Sequence, residues 1–204
     1  MLCSHRAEGF STHSTQSSPI PTSCFVDAIL VPLPVWIALT ALVVLLLVPK
    51  HLITGLLAAE PRRHQQPSWL YRIIAGTYYV LILCNILMHT LEIVRLSLIH
   101  FGIALLPFAY VGLLLGAALH WSRGAAGRVS AWLLVNMVVW LGGMAMSIVK
   151  AIGLDREDDL RKGSKYPMSD QVLDVAVIAG VYGAIAALEL VMGLWRRRNH
   201  NLLK

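Results

Sequence analysis

Residues 28–48 read AILVPLPVWIALTALVVLLLV and contain no charged side chain. A bilayer core about 30 Å thick is crossed by a helix of about 20 apolar residues, and this segment has that length. Pro32 and Pro34 fall in its first turns, where a missing backbone N–H costs least. The segment therefore predicts a transmembrane helix close to the start of the chain.

Four further apolar segments follow the first one, and each is long enough to be predicted as a span. Together they predict an all-α, polytopic transmembrane bundle of five helices within a membrane domain at 27–196. A polar tail at 1–26, rich in Ser, Thr and Pro, is predicted to be disordered, and 197–204 forms a basic tail. The five predicted spans are 28–48, 70–92, 101–119, 130–149 and 171–195.

The composition favours an integral membrane protein over a soluble one. Hydrophobic residues make up 57% of the chain, charged residues only 14%, and the mean hydropathy is +0.66. A soluble domain would carry roughly 25% charged residues. The net charge of +6 comes from Lys and Arg that flank apolar spans, so we expect the lipid bilayer, and no nucleic acid, to be the partner of these charges. The sequence leaves open which cellular membrane this is.

The distribution of Lys and Arg predicts the orientation. With the N-terminus outside, ten of the 17 basic residues fall on the inner side and seven on the outer side. The cluster Arg196, Arg197 and Arg198 is the clearest inner anchor, whereas Arg95 and Lys150 count as outer. The sequence thus predicts an N-out, C-in topology.

The most polar stripe within a predicted span lies on the second helix. Asn85, His89 and Glu92 fall within about 60° of arc on a helix, and Arg95 lies a further 60° or so around it. Ionisable groups at membrane depth are costly and usually face the bundle interior. Two interpretations stay open: a proton relay or a metal or substrate contact at His89 and Glu92, or a structural cluster in which Glu92 pairs with Arg95 at i,i+3.

Glu189 is the second intramembrane candidate, about two turns before the inner end of the fifth helix. It either has a functional role or pairs with Arg196 or loop arginines near the interface. We predict no cofactor, no metal site and no catalytic residue. A haem held by two histidines is disfavoured, because only His89 lies well inside a predicted span.

Small residues recur at four-residue spacing on two predicted helices. Gly112 and Gly116 lie on the third helix, and Gly180 and Ala184 lie on the fifth. This spacing lets helix backbones approach closely in lipid, so both pairs are candidates for helix packing. The contact is either within the bundle or with a partner membrane protein.

Residues 24–32, CFVDAILVP, resemble the start of the N-terminal accessory membrane domain of multidrug-resistance-type ABC transporters. The resemblance covers this short motif and otherwise the topology, since that domain is a five-helix bundle with its N-terminus outside. It implies a free-standing accessory domain that docks on another membrane protein. It does not imply ATP-driven transport, because no nucleotide-binding domain is present in the sequence.

Three functions are therefore expected in order. The first is a non-enzymatic accessory or assembly partner of another membrane protein, or a self-associating one. The second is a small transporter or channel subunit that uses the polar groups as a path. The third is a membrane enzyme acting on a lipophilic substrate.

Overall fold

The computed structural model describes residues 26–47, 68–98, 102–127, 131–156 and 168–201. Within these ranges the chain is almost entirely helix or turn, with no strand, so the all-α prediction is confirmed. A π-helical turn, Val26–Leu30, leads into the first α-helix. The five α-helices are α1 Leu33–Leu47, α2 Trp69–Leu98, α3 Phe108–Gly127, α4 Trp132–Arg156 and α5 Met168–Asn201.

Four helical stretches are long and apolar enough to cross a membrane. α3 holds a shorter apolar stretch, Phe108–Ser122. Large apolar side chains also cover the outside of the bundle, with Leu47 77% exposed and Leu134 65% exposed. Such an outer surface suits lipid rather than water. The fold is compatible with a multi-pass integral membrane protein, and the long stretches are Val26–Leu47, Trp69–Leu98, Trp132–Asp155 and Ser169–Trp195.

Helices α2 to α5 form a four-helix bundle, and α1 packs on its outside. α2 contacts α3 and α5, while α4 contacts α3 and α5, so the four helices close into a ring. α1 lies against α3 and α4 and, among the described residues, does not touch α2. Trp140, Tyr78, Leu113 and Ile185 are the large, fully buried side chains at the centre of this ring.

Two glycines on α3 allow close contacts with α1 and α4. A Cβ atom on Gly112 would lie 2.6 Å from Val35 Cγ2 of α1, and one on Gly116 would overlap the ring of Trp140 on α4. Both positions need glycine because a neighbouring side chain already occupies the space that a Cβ would take.

The other small-residue pair, Gly180 and Ala184 on α5, does not pack inside the bundle. Both residues are exposed, and no other heavy atom lies within 4 Å of a Cβ built on Gly180. Of the two kinds of contact that the sequence leaves open for this pair, only one with a partner outside the bundle remains.

The third predicted span, 101–119, starts seven residues too early. Ala104 has a positive φ of 48°, and a turn occupies 104–107, so α3 begins at Phe108. A left-handed residue cannot continue a right-handed helix, and Pro107 has no N–H to donate. Pro107 therefore immediately precedes α3, although the sequence placed it within the span.

The second and fourth predicted spans end too early: α2 continues to Leu98 and α4 to Arg156, beyond the predicted ends at 92 and 149. The predicted end of the fifth span at 195 coincides with the end of the apolar stretch Ser169–Trp195, and α5 itself continues as a helix to Asn201. The predictions stopped near charged residues, but several of these charges find partners on neighbouring helices, so the helices continue. Part of the predicted basic tail, 197–201, is thus helical; the predicted tail at 1–25 and residues 202–204 lie outside the described ranges.

Candidate functional site

Nine buried side chains that carry polar atoms form two clusters at opposite ends of the bundle. The first, which we call the Glu189 cluster, consists of Glu189, Tyr78, His120, Asn136 and Trp140. The second, the Lys150 cluster, consists of Lys150, Asp27, Glu92 and Gln171. All nine side chains belong to buried residues, and each cluster joins several helices.

In the Glu189 cluster one carboxylate accepts hydrogen bonds from three other helices. Oε2 accepts from Tyr78 Oη at 2.9 Å and from Trp140 Nε1 at 2.5 Å. Oε1 accepts from Asn136 Nδ2 at 3.0 Å and from His120 Nδ1 at 3.1 Å. Two carboxylate oxygens offer about four lone-pair sites, so four donors match the capacity of an ionised carboxylate. The cluster holds α2, α3 and α4 to α5.

Aromatic rings enclose the imidazole of His120. Its ring centroid lies 4.5 Å from that of Tyr78, 5.8 Å from that of Tyr79 and 5.7 Å from that of Trp132. An ionised carboxylate can only accept, so His120 Nδ1 is the donor when it contacts the ionised form of Glu189. The rings and the carboxylate fix the position of His120.

In the Lys150 cluster one ammonium group lies between two carboxylates. Lys150 Nζ is 2.9 Å from Asp27 Oδ1 and 3.0 Å from Glu92 Oε1. Gln171 Nε2 donates to Glu92 Oε1 at 2.6 Å. The π-helical turn before α1 supplies Asp27, α2 supplies Glu92, α4 supplies Lys150 and α5 supplies Gln171. These contacts tie the lead-in of α1 to the opposite end of the bundle from Glu189.

Arg95 pairs with Asp174 beside this cluster, and not with Glu92. Arg95 Nη1 lies 2.6 Å from Asp174 Oδ2, and the two side chains are 17% and 19% exposed. The expected i,i+3 pair of Glu92 with Arg95 is therefore wrong: Lys150 on α4 and Gln171 on α5 are the partners of Glu92. Lys150, expected in an outer loop, is instead buried within α4.

His89 and Asn85 lie between the two clusters on the same face of α2. His89 Nδ1 donates to the backbone carbonyl of Asn85 at 3.0 Å. Its ring centroid is 5.8 Å from that of Tyr182 and 6.4 Å from that of Tyr110. His89 is buried and faces other helices, and Asn85 is completely buried. The polar stripe that the sequence places on the second helix therefore faces the bundle interior.

Several members of these clusters were missed by the sequence analysis. The third predicted span ends at 119, just before His120, yet His120 is buried within α3, so His89 is not the only histidine inside a helix among the described residues. Tyr78 could have been found by extending the α2 stripe back two turns from Asn85. Asn136 and Trp140 share a face at i,i+4, but no sequence signal connects that face to Glu189.

The chemistry of both clusters is that of buried charges held by hydrogen bonds. Within the described residues no group of three or more His, Cys, Asp or Glu side chains could hold a metal ion. An apolar groove of about 390 Å³ lies elsewhere, on the outer surface between α4 and α5. Its walls are Met144, Ile148, Ala151, Ile152, Ala176, Ala179 and Gly180.

Comparison with known proteins adds no relative to this picture. No protein-family model, no curated protein and no solved structure matched the chain. The likeness of 24–32 to the ABC-transporter accessory domain stays a prediction, and residues 24 and 25 lie outside the described ranges.

Proposed function

We propose that this chain is a non-enzymatic accessory protein of a membrane, with five crossings, its N-terminus outside and its C-terminus in the cytoplasm. The fifth crossing is α3, whose 20 residues span about 30 Å at 1.5 Å per residue. The two polar clusters support a crossing by α3, because they lie at opposite ends of the ring of helices to which α3 belongs.

The orientation is supported by the partners of two basic residues. When every Lys and Arg is assigned to one side of the membrane, Arg95 and Lys150 fall on the outer side and so weaken the N-out prediction. Both are engaged with acidic side chains within the bundle, Arg95 with Asp174 and Lys150 with Asp27 and Glu92. Setting them aside leaves ten inner and five outer basic residues, which strengthens the positive-inside bias.

The observation that carries the accessory role is the exposed small-residue face of α5. Ala176, Gly180 and Ala184 repeat at four-residue spacing and are all exposed, and Ala176 and Gly180 also line the apolar groove beside α4. Helices in lipid associate through close backbone packing, which small residues permit. The occupant we propose is a transmembrane helix of a different membrane protein, because a single helix fits both the groove and this spacing.

We expect the double variant Gly180→Leu and Ala184→Leu to fold normally and to lose its partner. Leucine side chains on this face would keep a partner helix away, whereas lipid accommodates them. The matched control is Leu190→Ala, which alters an exposed residue of α5 about 80° around the helix from Gly180 and leaves the small face intact. The measurement is co-purification from native membranes in mild detergent, with the size of the complex determined by light scattering.

The docking proposal requires a defined complex that the control retains and the Leu variant loses. If the wild-type particle is a dimer of this chain alone, the self-association alternative replaces it. Retention of the same partner by the Leu variant would remove the support for this face as a docking surface.

A small transporter or channel subunit is the second candidate. It is favoured by the run of buried polar side chains on α2, where Asn85 and His89 lie between Tyr78 of one cluster and Glu92 of the other. Intramembrane ionisable groups often mark proton or ion paths. Movement of a proton or ion along this face would require water inside the bundle.

A further inference from the structure

Asn85 is a buried amide without a hydrogen-bond partner in the described bundle. The residue has no exposed surface, and neither Nδ2 nor Oδ1 has a partner among the described residues. Asn136, the other buried asparagine, differs because its Nδ2 donates both to Gly116 O and to Glu189 Oε1. Buried amides in proteins nearly always have a partner, and ordered water serves where no protein group does.

A second unpartnered polar atom lies on the same face of α2. Glu92 Oε1 takes the contacts with Lys150 and Gln171, whereas Oε2 is buried without a partner. Asn85 and Glu92 are seven residues apart, which is about two turns or 10 Å along the helix. His89 lies between them on this face, and because its Nδ1–H donates to Asn85 O, its Nε2 is left as an acceptor when the ring is neutral.

The polar atoms along this face have complementary hydrogen-bonding roles. Asn85 offers a donor at Nδ2 and an acceptor at Oδ1, and Glu92 Oε2 and His89 Nε2 offer acceptors. Water inside a protein makes about three hydrogen bonds and needs both kinds of group. In a bundle that faces lipid no bulk solvent can satisfy an amide at this depth, so the pairing must be internal.

We propose that Asn85 binds internal water at mid-height of the bundle, and that a chain of two or more such water molecules passes His89 and links the amide to Glu92 Oε2. The ligand is water itself, held by one amide, one imidazole and one carboxylate. The site is distinct from the Glu189 cluster, whose carboxylate is already bound by four side chains. It gives the second candidate function a hydrated segment, but it does not depend on the accessory role.

The proposal is tested by magic-angle-spinning NMR of the whole protein in lipid bilayers, with ¹⁵N-labelled Asn and Trp. Magnetisation is transferred from water protons to each side-chain nitrogen and its build-up is followed. The matched dry reference is Trp140 Nε1, a fully buried donor bound directly to Glu189. We expect the signal of Asn85 Nδ2 to build up several-fold faster than that of Trp140 Nε1.

Three variants assign the Asn85 signal and control for packing. Asn85→Leu removes the Asn85 signal, and Asn85→Ser serves for the assignment if the Leu variant does not fold. Ile82→Leu changes a buried apolar neighbour on the same face and should leave the fast build-up of Asn85 unchanged. Equally slow build-up at Asn85 and Trp140 would overturn the proposal, because the amide would then be dry.

Discussion

Replacing Glu189 by Leu is expected to leave little folded protein. The substitution removes the acceptor shared by Tyr78, His120, Asn136 and Trp140, and it leaves their donors buried. Each buried donor left without an acceptor costs about 1–3 kcal/mol. Even if some of them find new partners, the expected loss of at least ~3 kcal/mol is large against a typical total stability of about 5–15 kcal/mol.

The measurement is the unfolding midpoint in detergent, followed by tryptophan fluorescence and by the monodisperse fraction on gel filtration. The matched control is Leu190→Ala, the next residue along α5, which is 47% exposed and faces outward. Glu189→Gln should fall between the two, because the amide keeps one acceptor oxygen but presents an NH₂ group to donors. A Leu variant as stable as the Leu190→Ala protein would contradict the role assigned to this carboxylate.

Replacing Lys150 by Met is expected to have the second largest effect. The variant keeps the aliphatic length of the side chain but removes the cation between Asp27 and Glu92. Two buried carboxylates would then face each other, and breaking a buried ion pair by removing one partner typically costs about 3–5 kcal/mol. We expect a comparable loss of stability in this protein.

Neutralising the two carboxylates should recover most of that loss. The triple variant with Lys150→Met, Asp27→Asn and Glu92→Gln contains no uncompensated charge in the cluster. Arg95→Met is the matched control, because its pair with Asp174 is partly exposed and should contribute about 1 kcal/mol or less. The ion-pair account fails if the triple variant is no more stable than Lys150→Met alone.

The all-α fold and its long apolar helices could be predicted because they depend on composition and segment length. The boundaries could not, because they depend on contacts between segments. α2 continues past Glu92 because Lys150 and Gln171, on other helices, bind this carboxylate. It continues past Arg95 because Asp174 on α5 pairs with that guanidinium. The start of α3 depends on the left-handed backbone of Ala104, and alanine carries no signal for that conformation.

The candidate site could be predicted only along single helices. Asn85, His89 and Glu92 share a face that helical periodicity reveals, and all three are buried. The partners of this face could not be predicted, because Lys150 and Gln171 reach Glu92 from other helices and no spacing rule connects residues of different helices. The same limit applies to Glu189, whose four donors come from three helices.

Small-residue spacing likewise did not distinguish inside from outside. Gly112 and Gly116 meet Val35 and Trp140, whereas Gly180 faces outward with open space around it. The two pairs look alike in sequence because the pattern records only that a close approach is allowed. Which neighbour makes that approach is decided by how the helices assemble.

The central claim, five crossings with the two ends on opposite sides, is tested most directly by cysteine accessibility. Two variant proteins are compared, and both carry Cys84→Ser. One keeps Cys3 and Cys24. The other replaces these two by Ser and carries Leu203→Cys. A membrane-impermeant maleimide is applied under reducing conditions, first to intact cells and then to permeabilised cells, in which it reaches the cytosol. We predict that the cysteine at position 203 reacts only from the cytosolic side, and that Cys3 and Cys24 react only from the opposite side. Reaction of both ends from the same side would mean an even number of crossings and would contradict the account.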